Sequence, residues 1–238
     1  MWRFLAVSLL ILPGAVSAGP VQLLRATRSN SLQLIGQQTQ SHEVEVNDFS
    51  AFSDRASFFA NGPPPFHTRT EGDVYQSSSF SGDSIRVVLE AGAGHEWGTA
   101  FTAKATAKFR ATFKVDPHCD YVLTARATVV TRAGALIVPF HSALLALEPV
   151  SADSFRCRDS VVPPTLHCED FREYRFSGTL VRGFEFVLRG EVYAETPRFA
   201  AENESFSAGA TLTMTLHVCE PFVAVQPTTW SQMKLVYH

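Results

Sequence analysis

The chain has 238 residues, 45% of them hydrophobic and 18% charged, with 19 Phe, 14 Gly and 13 Pro. That apolar share excludes a charged disordered chain, and the low charge excludes a long-helix or coiled-coil protein, which needs an excess of Lys, Glu and Leu. A formal net charge of −3 argues against nucleic acid as a partner, since such binders carry a basic footprint.

Residues 1–18 have the layout of a secretory signal. Arg3 supplies the positive start, Phe4 to Leu12 the apolar stretch, and Val16-Ser17-Ala18 a small-residue cleavage site. This mostly apolar run of nine residues before Pro13-Gly14 is too short for a membrane anchor, which takes about 20. No later run is long and apolar enough to span a membrane, so a secreted protein is expected, without a membrane span once the signal is removed. Residues 19–41 are polar and Gln-rich, without a persistent period. They are expected to form an extended N-terminal segment or a loosely attached first strand, ahead of one β-sandwich domain over 42–220 and a tail over 221–238.

Asp73 to Phe80 and Ser84 to Glu90 flank Ser81-Gly82-Asp83, a hairpin signal. His95, Glu96 and Trp97 follow in a Gly-rich stretch, Ala91 to Gly98, that predicts a loop displaying binding side chains. An indole there suits stacking on a sugar ring, with His95 and Glu96 taking its hydroxyls. The plainer reading, favoured because polar loop residues mostly have no function, leaves those two solvated and Trp97 tucked over the end of the sandwich.

From Phe101 to Asp116 every odd position is apolar, and Thr, Lys or Arg hold the even ones up to Asp116, the pattern of a strand with one face buried. The strand exceeds the usual 3–10 residues, so a bend or bulge is expected within it, and likewise within Phe206 to Val218, where the pattern returns. Lys104, Lys108, Arg110 and Lys114 share its polar face. Such a ladder suits anionic polysaccharide, but with a net negative chain it is read as a solvated face that keeps the sheet soluble. Across the turn Pro117-His118-Cys119-Asp120, Tyr121 to Val130 is expected to pair back as a hairpin. Leu136 to Phe140 and Leu144 to Leu147 are almost wholly apolar, as in strands covered on both faces.

Asp153, Asp159, Glu169 and Asp170 predict an acidic loop whose hard oxygen ligands would suit calcium, the candidate ion in a protein otherwise expected to need no cofactor. Cys157 and Cys168 flank the same stretch and are the preferred disulfide pair, leaving Cys119 with Cys219. His118-Cys119 and His167-Cys168 lack the ligand spacing of a zinc site. Tyr174 to Leu180 and Phe184 to Tyr193 flank Val181-Arg182-Gly183, whose glycine suits a positive φ. Eight or more strands and no convincing helix predict an all-β, antiparallel β-sandwich, jelly-roll-like or immunoglobulin-like.

The stretch from about Gln76 to Val218 resembles uncharacterised secreted bacterial proteins, many of which end in a PEP-CTERM sorting anchor. The matching segments are QSSSF (Gln76 to Phe80), TAFTAKATAKFRATFKVD (Thr99 to Asp116), YVLTARA (Tyr121 to Ala127), EYRFSGTLVRGFEFVL (Glu173 to Leu188) and SAGATLTMTLHV (Ser207 to Val218). The four cysteines depart from that pattern, and TTWSQMKLVYH (Thr228 to His238) stands where the anchor would be. The resemblance implies export and a sandwich without an assigned activity. No nucleophile elbow, zinc-protease helix or phosphate loop occurs, so the expected function is non-enzymatic: a surface or matrix component, or an interaction module for another surface protein. The alternative is a carbohydrate-binding jelly roll that takes an extracellular glycan at the Trp97 loop, with or without calcium; a secreted hydrolase comes after both.

Overall fold

Alternation of apolar and polar residues carries nearly the whole architecture. A computed structural model describes residues 20–35, 39–61, 69–96, 102–133, 140–155, 166–196 and 205–218. These form twelve strands and no helix: β1 (Val21–Ile35), β2 (Gln40–Val46), β3 (Phe52–Asn61), β4 (Arg69–Phe80), β5 (Ser84–Glu96), β6 (Thr102–Val115), β7 (Cys119–Ala133), β8 (Phe140–Glu148), β9 (Ser151–Phe155), β10 (Leu166–Leu180), β11 (Phe186–Glu195) and β12 (Phe206–Val218).

The strands make two antiparallel sheets, one in the order β2-β1-β6-β11-β8-β9 and the other β10-β7-β12-β5-β4-β3. They pack face to face, β5 against β6 and β11, and β12 against β11 and β8. The chain from β5 to β12 follows the two interlocked Greek keys of a jelly roll, not the immunoglobulin order: β6-β11-β8-β9 lie opposite β5-β12-β7-β10. β1 and β2 extend the first sheet beyond β6, and β4 and β3 extend the second beyond β5.

The odd positions of β6 from Ala103 to Val115 are all 1% exposed or less, facing the inward residues of the second sheet. Its alanines let the sheets approach closely. At Gly72 in β4 a methyl group would lie 2.8 Å from the Leu32 side chain and 3.3 Å from the Ala103 Cβ, both on the opposite sheet. The β4–β5 hairpin closes as its turn residues predict: Ser84 donates its backbone N–H to Ser81 Oγ at 3.0 Å, and that hydroxyl donates to Asp83 at 2.7 Å. Gly183 takes the positive φ, at 82°.

Three expectations are corrected. The segment expected as a loose lead-in is firmly held: β1 pairs with β6 from Val21 to Ile35 and with β2 on its other edge. Its period was obscured because Arg28 and Asn30 occupy inward positions, both 0% exposed. Arg28 donates to the Asp48 carbonyl at 2.8 Å, to the Asp48 carboxylate and to the Ser50 carbonyl, with its guanidinium 5.2 Å from the Phe52 ring centre. Asn30 donates to the Asp54 carboxylate at 2.7 Å, where His42 also binds at 2.9 Å. Second, β6 and β7 do not form a hairpin; β1 and β11 occupy both edges of β6, so the chain crosses to the other sheet. Third, β6 and β12 run without a register slip against β11, β5 and β7, and the bulge falls in β1 at Leu24.

Candidate functional site

His95, Glu96 and Trp97 are not displayed together on a loop. β5 continues to Glu96 through Gly92 and Gly94, so strand alternation sends neighbouring residues to opposite faces. His95 turns inward, 2% exposed and stacked on Phe206 with ring centres 5.6 Å apart. Glu96 is exposed at the strand end, opposite Arg69, and Trp97 lies outside the described residues. Gly92 and Gly94, two of the glycines that suggest a loop, are outward strand positions, where a missing side chain opens the sheet surface.

The acidic residues do not make one loop either. Asp153 lies in β9 opposite Leu145, while Glu169 and Asp170 lie in β10 of the other sheet, opposite Val130 and Val129. Asp159 is outside the described residues, as are Cys157 and Cys219. Among the described residues, no three His, Cys, Asp or Glu side chains gather as a metal site would require. Cys168 stands in β10 opposite Thr131, and Cys119 opens β7 and is not a free thiol. Since β12 runs antiparallel to β7 with Val218 opposite Tyr121, the end of β12 lies at the same pole as Cys119.

A site that the sequence does not announce forms on the outer face of the second sheet. Gly92 of β5 faces Gly209 of β12, with Asp73 of β4 on the other side of Gly92 and Val130 of β7 beyond Gly209. The two glycines floor a concavity of about 340 Å³, with Glu71, Asp73 and Glu90 along one wall and Ser207 and Thr211 along the other. The Asp73 carboxylate folds over Gly92, into space that any side chain at position 92 would fill. In the next row across the sheet Tyr75, Glu90, Thr211 and Thr128 lead to Phe171 on β10, which is 44% exposed. Arg55 lies 4.9 Å from the Tyr75 ring centre and pairs with Glu90 at 3.3 Å. Arg126 lies 4.4 Å from the ring centre of Phe171.

Loss of solvation holds the Asp73 carboxyl above its ordinary value, and the charges of Glu90 and, less, Glu71 reinforce this against the pull of Arg55. Such a face offers carboxylate acceptors to hydroxyl donors, a floor with no side chains, and aromatic rings at its margins. Glu71, Asp73 and Glu90 carry no local motif and meet only through the β4–β5 register. The one sequence signal for them is the pair Gly92 and Gly94, alternating within a strand.

On the outer face of the first sheet, three members of the basic ladder are matched as a solvated face would be. Lys108 pairs with Glu191 and Lys114 with Glu185, each at 3.2 Å, and Lys104 lies 5.5 Å from the Tyr193 ring centre. No protein-family model matches the chain, and a search of curated proteins returns no match.

Proposed function

We propose that the chain is an exported, non-enzymatic binding module whose ligand is a neutral glycan held on the outer face of the second sheet. The observation that carries this is the floor of Gly92 and Gly209 beside the carboxylates of Glu71, Asp73 and Glu90, with Tyr75 and Phe171 at the two ends of the next row across the sheet. The open floor at Gly209 lets a sugar ring approach the backbone, the carboxylates, with Asp73 lying over Gly92, accept its hydroxyls, and an aromatic face stacks on its apolar side. The acidic wall disfavours an anionic sugar here. Export follows from the signal-like residues 1–18. The jelly-roll order alone carries no function.

A glycan array with and without calcium tests the reading, using the parent chain, Tyr75→Ala, Asp73→Asn and Trp97→Ala. A neutral glycan should be retained, and Tyr75→Ala should weaken it about 3- to 10-fold. The calcium arm separately tests Asp153, Asp159, Glu169 and Asp170 as ligands. Retention of no glycan, or retention indifferent to both Tyr75→Ala and Asp73→Asn, rejects the proposal.

One observation favours a second reading, a glycoside hydrolase. Asp73 is pushed toward its protonated form beside the Glu90 side chain, and a carboxyl held toward its acid form next to a second carboxyl is an arrangement that such chemistry uses. Release of reducing sugar that disappears in Asp73→Asn would favour this reading over the binding module.

A further inference from the structure

Arg110 of β6 and Arg189 of β11 stand directly opposite each other, both exposed, on the outer face of the first sheet. Like charges in that relation repel, so the sheet itself gains nothing from the pair. Arg25 joins them from β1 through the bulge: β1 pairs Leu23 with Phe113 and then Arg25 with Thr112, leaving Leu24 unpaired. Without that extra residue Arg25 would oppose Ala111, on the core side of the sheet. Bulges commonly re-aim a side chain in this way.

These three arginines and Lys108 line one concavity of about 450 Å³, together with the hydroxyls of Thr27 and Thr112. A single acid answers four cations: Glu191 takes Lys108 at 3.2 Å and Arg189 at 3.1 Å. Among the described residues no ion pair involves Arg25 or Arg110. The cluster is locally positive on a chain of net charge −3.

We infer that Arg25, Arg110 and Arg189 form a binding site for a sulfated polysaccharide. Guanidinium forks present paired N–H groups to the oxygens of a sulfate ester, and the threonine hydroxyls add single donors. A polymer fits better than a lone anion because the three arginines stand on three adjacent strands, about 10 Å across the sheet, wider than one sulfate spans. The site lies on the opposite sheet from the neutral-glycan face and does not depend on it.

The test is retention of the full chain on immobilised dextran sulfate, with unmodified dextran as the matched resin and inorganic sulfate as competitor. The variants are Arg110→Thr, Arg110→Thr/Arg189→Thr, and a control of equal charge change on the other sheet, Arg86→Thr/Arg175→Thr. The parent chain should bind dextran sulfate alone, and the site double variant should lose about tenfold or more in affinity while the control loses less than about threefold. Arg110→Thr should also keep or raise the Tm, because it relieves the cross-strand repulsion. Equal losses in the two double variants would reduce the effect to overall charge, and binding to both resins would remove the anion. Full displacement by low millimolar sulfate would make a free ion the ligand. A fall in Tm for Arg110→Thr would make the arginine a structural residue. Any one of these overturns the inference.

Discussion

Arg28 is a charged side chain with no exposed surface, at a strand position that alternation reserves for an apolar residue. It is tolerated because its guanidinium satisfies the carbonyls of Asp48 and Ser50, on the segment joining β2 to β3, while the Phe52 and Phe80 rings cover its face. Arg28→Ala would strand those carbonyls and empty the space between the rings, so a loss of about 2–4 kcal/mol is expected in urea unfolding. The carboxylate end of the same clip titrates. Asp48 accepts the Ser50 hydroxyl at 2.7 Å and the Ser50 N–H at 2.9 Å, and these bonds, with a smaller share from Arg28, hold its carboxyl below the ordinary value. A lowered folded-state pKa stabilises above the unfolded value of about 3.9 and is lost as pH falls through the folded one. Asp73 has the opposite sign: its raised pKa costs stability at neutral pH, and that cost disappears as the carboxyl protonates. Asp73→Asn should therefore raise the Tm at pH 7, with the gain closing below about pH 4, whereas Asp48→Asn should lower the Tm at pH 7 and converge on the parent in acid. A set of thermal melts across that range checks both signs.

At the scale of elements, what could be read in the residues is what alternation reports, and what could not is which strand each one joins. β6 and β12 are plain because every inward position is apolar. β1 is obscured by two polar inward residues, and the end of β5 by glycines in outward positions. The expected β6–β7 hairpin fails for a different reason: a turn specifies a reversal of the chain, whereas partner choice depends on which edges are still free after the whole sheet assembles. The sharpest consequence concerns β1. A loosely attached lead-in would make Leu32→Ala neutral, but Leu32 is 0% exposed and packs against Gly72 on the facing sheet. A loss of about 2–5 kcal/mol is expected for Leu32→Ala. Gly72→Ala fills the same contact from the other side and should cost about 1–3 kcal/mol, because the Ala103 Cβ facing it has no rotamer by which to withdraw. Midpoint shifts in urea, with an unchanged slope, would report both.

At the scale of the molecule, the jelly-roll order decides which distant residues share a face, and no local pattern in the chain encodes that order. The glycan face draws on β4, β5, β7, β10 and β12, and the arginine site on β1, β6 and β11, so neither has a contiguous motif. Only fragments were legible: the lysines of β6 as one polar face, and Gly92 and Gly94 as an anomaly taken for a loop. The same order bears on the cysteines. The jelly roll makes β7 and β12 antiparallel neighbours, with Tyr121 opposite Val218, so Cys119 and the end of β12 lie side by side at one pole. The preferred connectivity pairs Cys157 with Cys168 and Cys119 with Cys219. A bridge from 119 to 219 closes a loop of about 100 residues, for which chain entropy allows up to about 4.7 kcal/mol of stabilisation. Cys119→Ser/Cys219→Ser should accordingly lower the Tm by more than Cys157→Ser/Cys168→Ser, whose short loop restrains the unfolded chain less. A non-reducing peptide map should recover a 119–219 crosslink; recovery of Cys119 joined to Cys157 or Cys168 would reject the pairing.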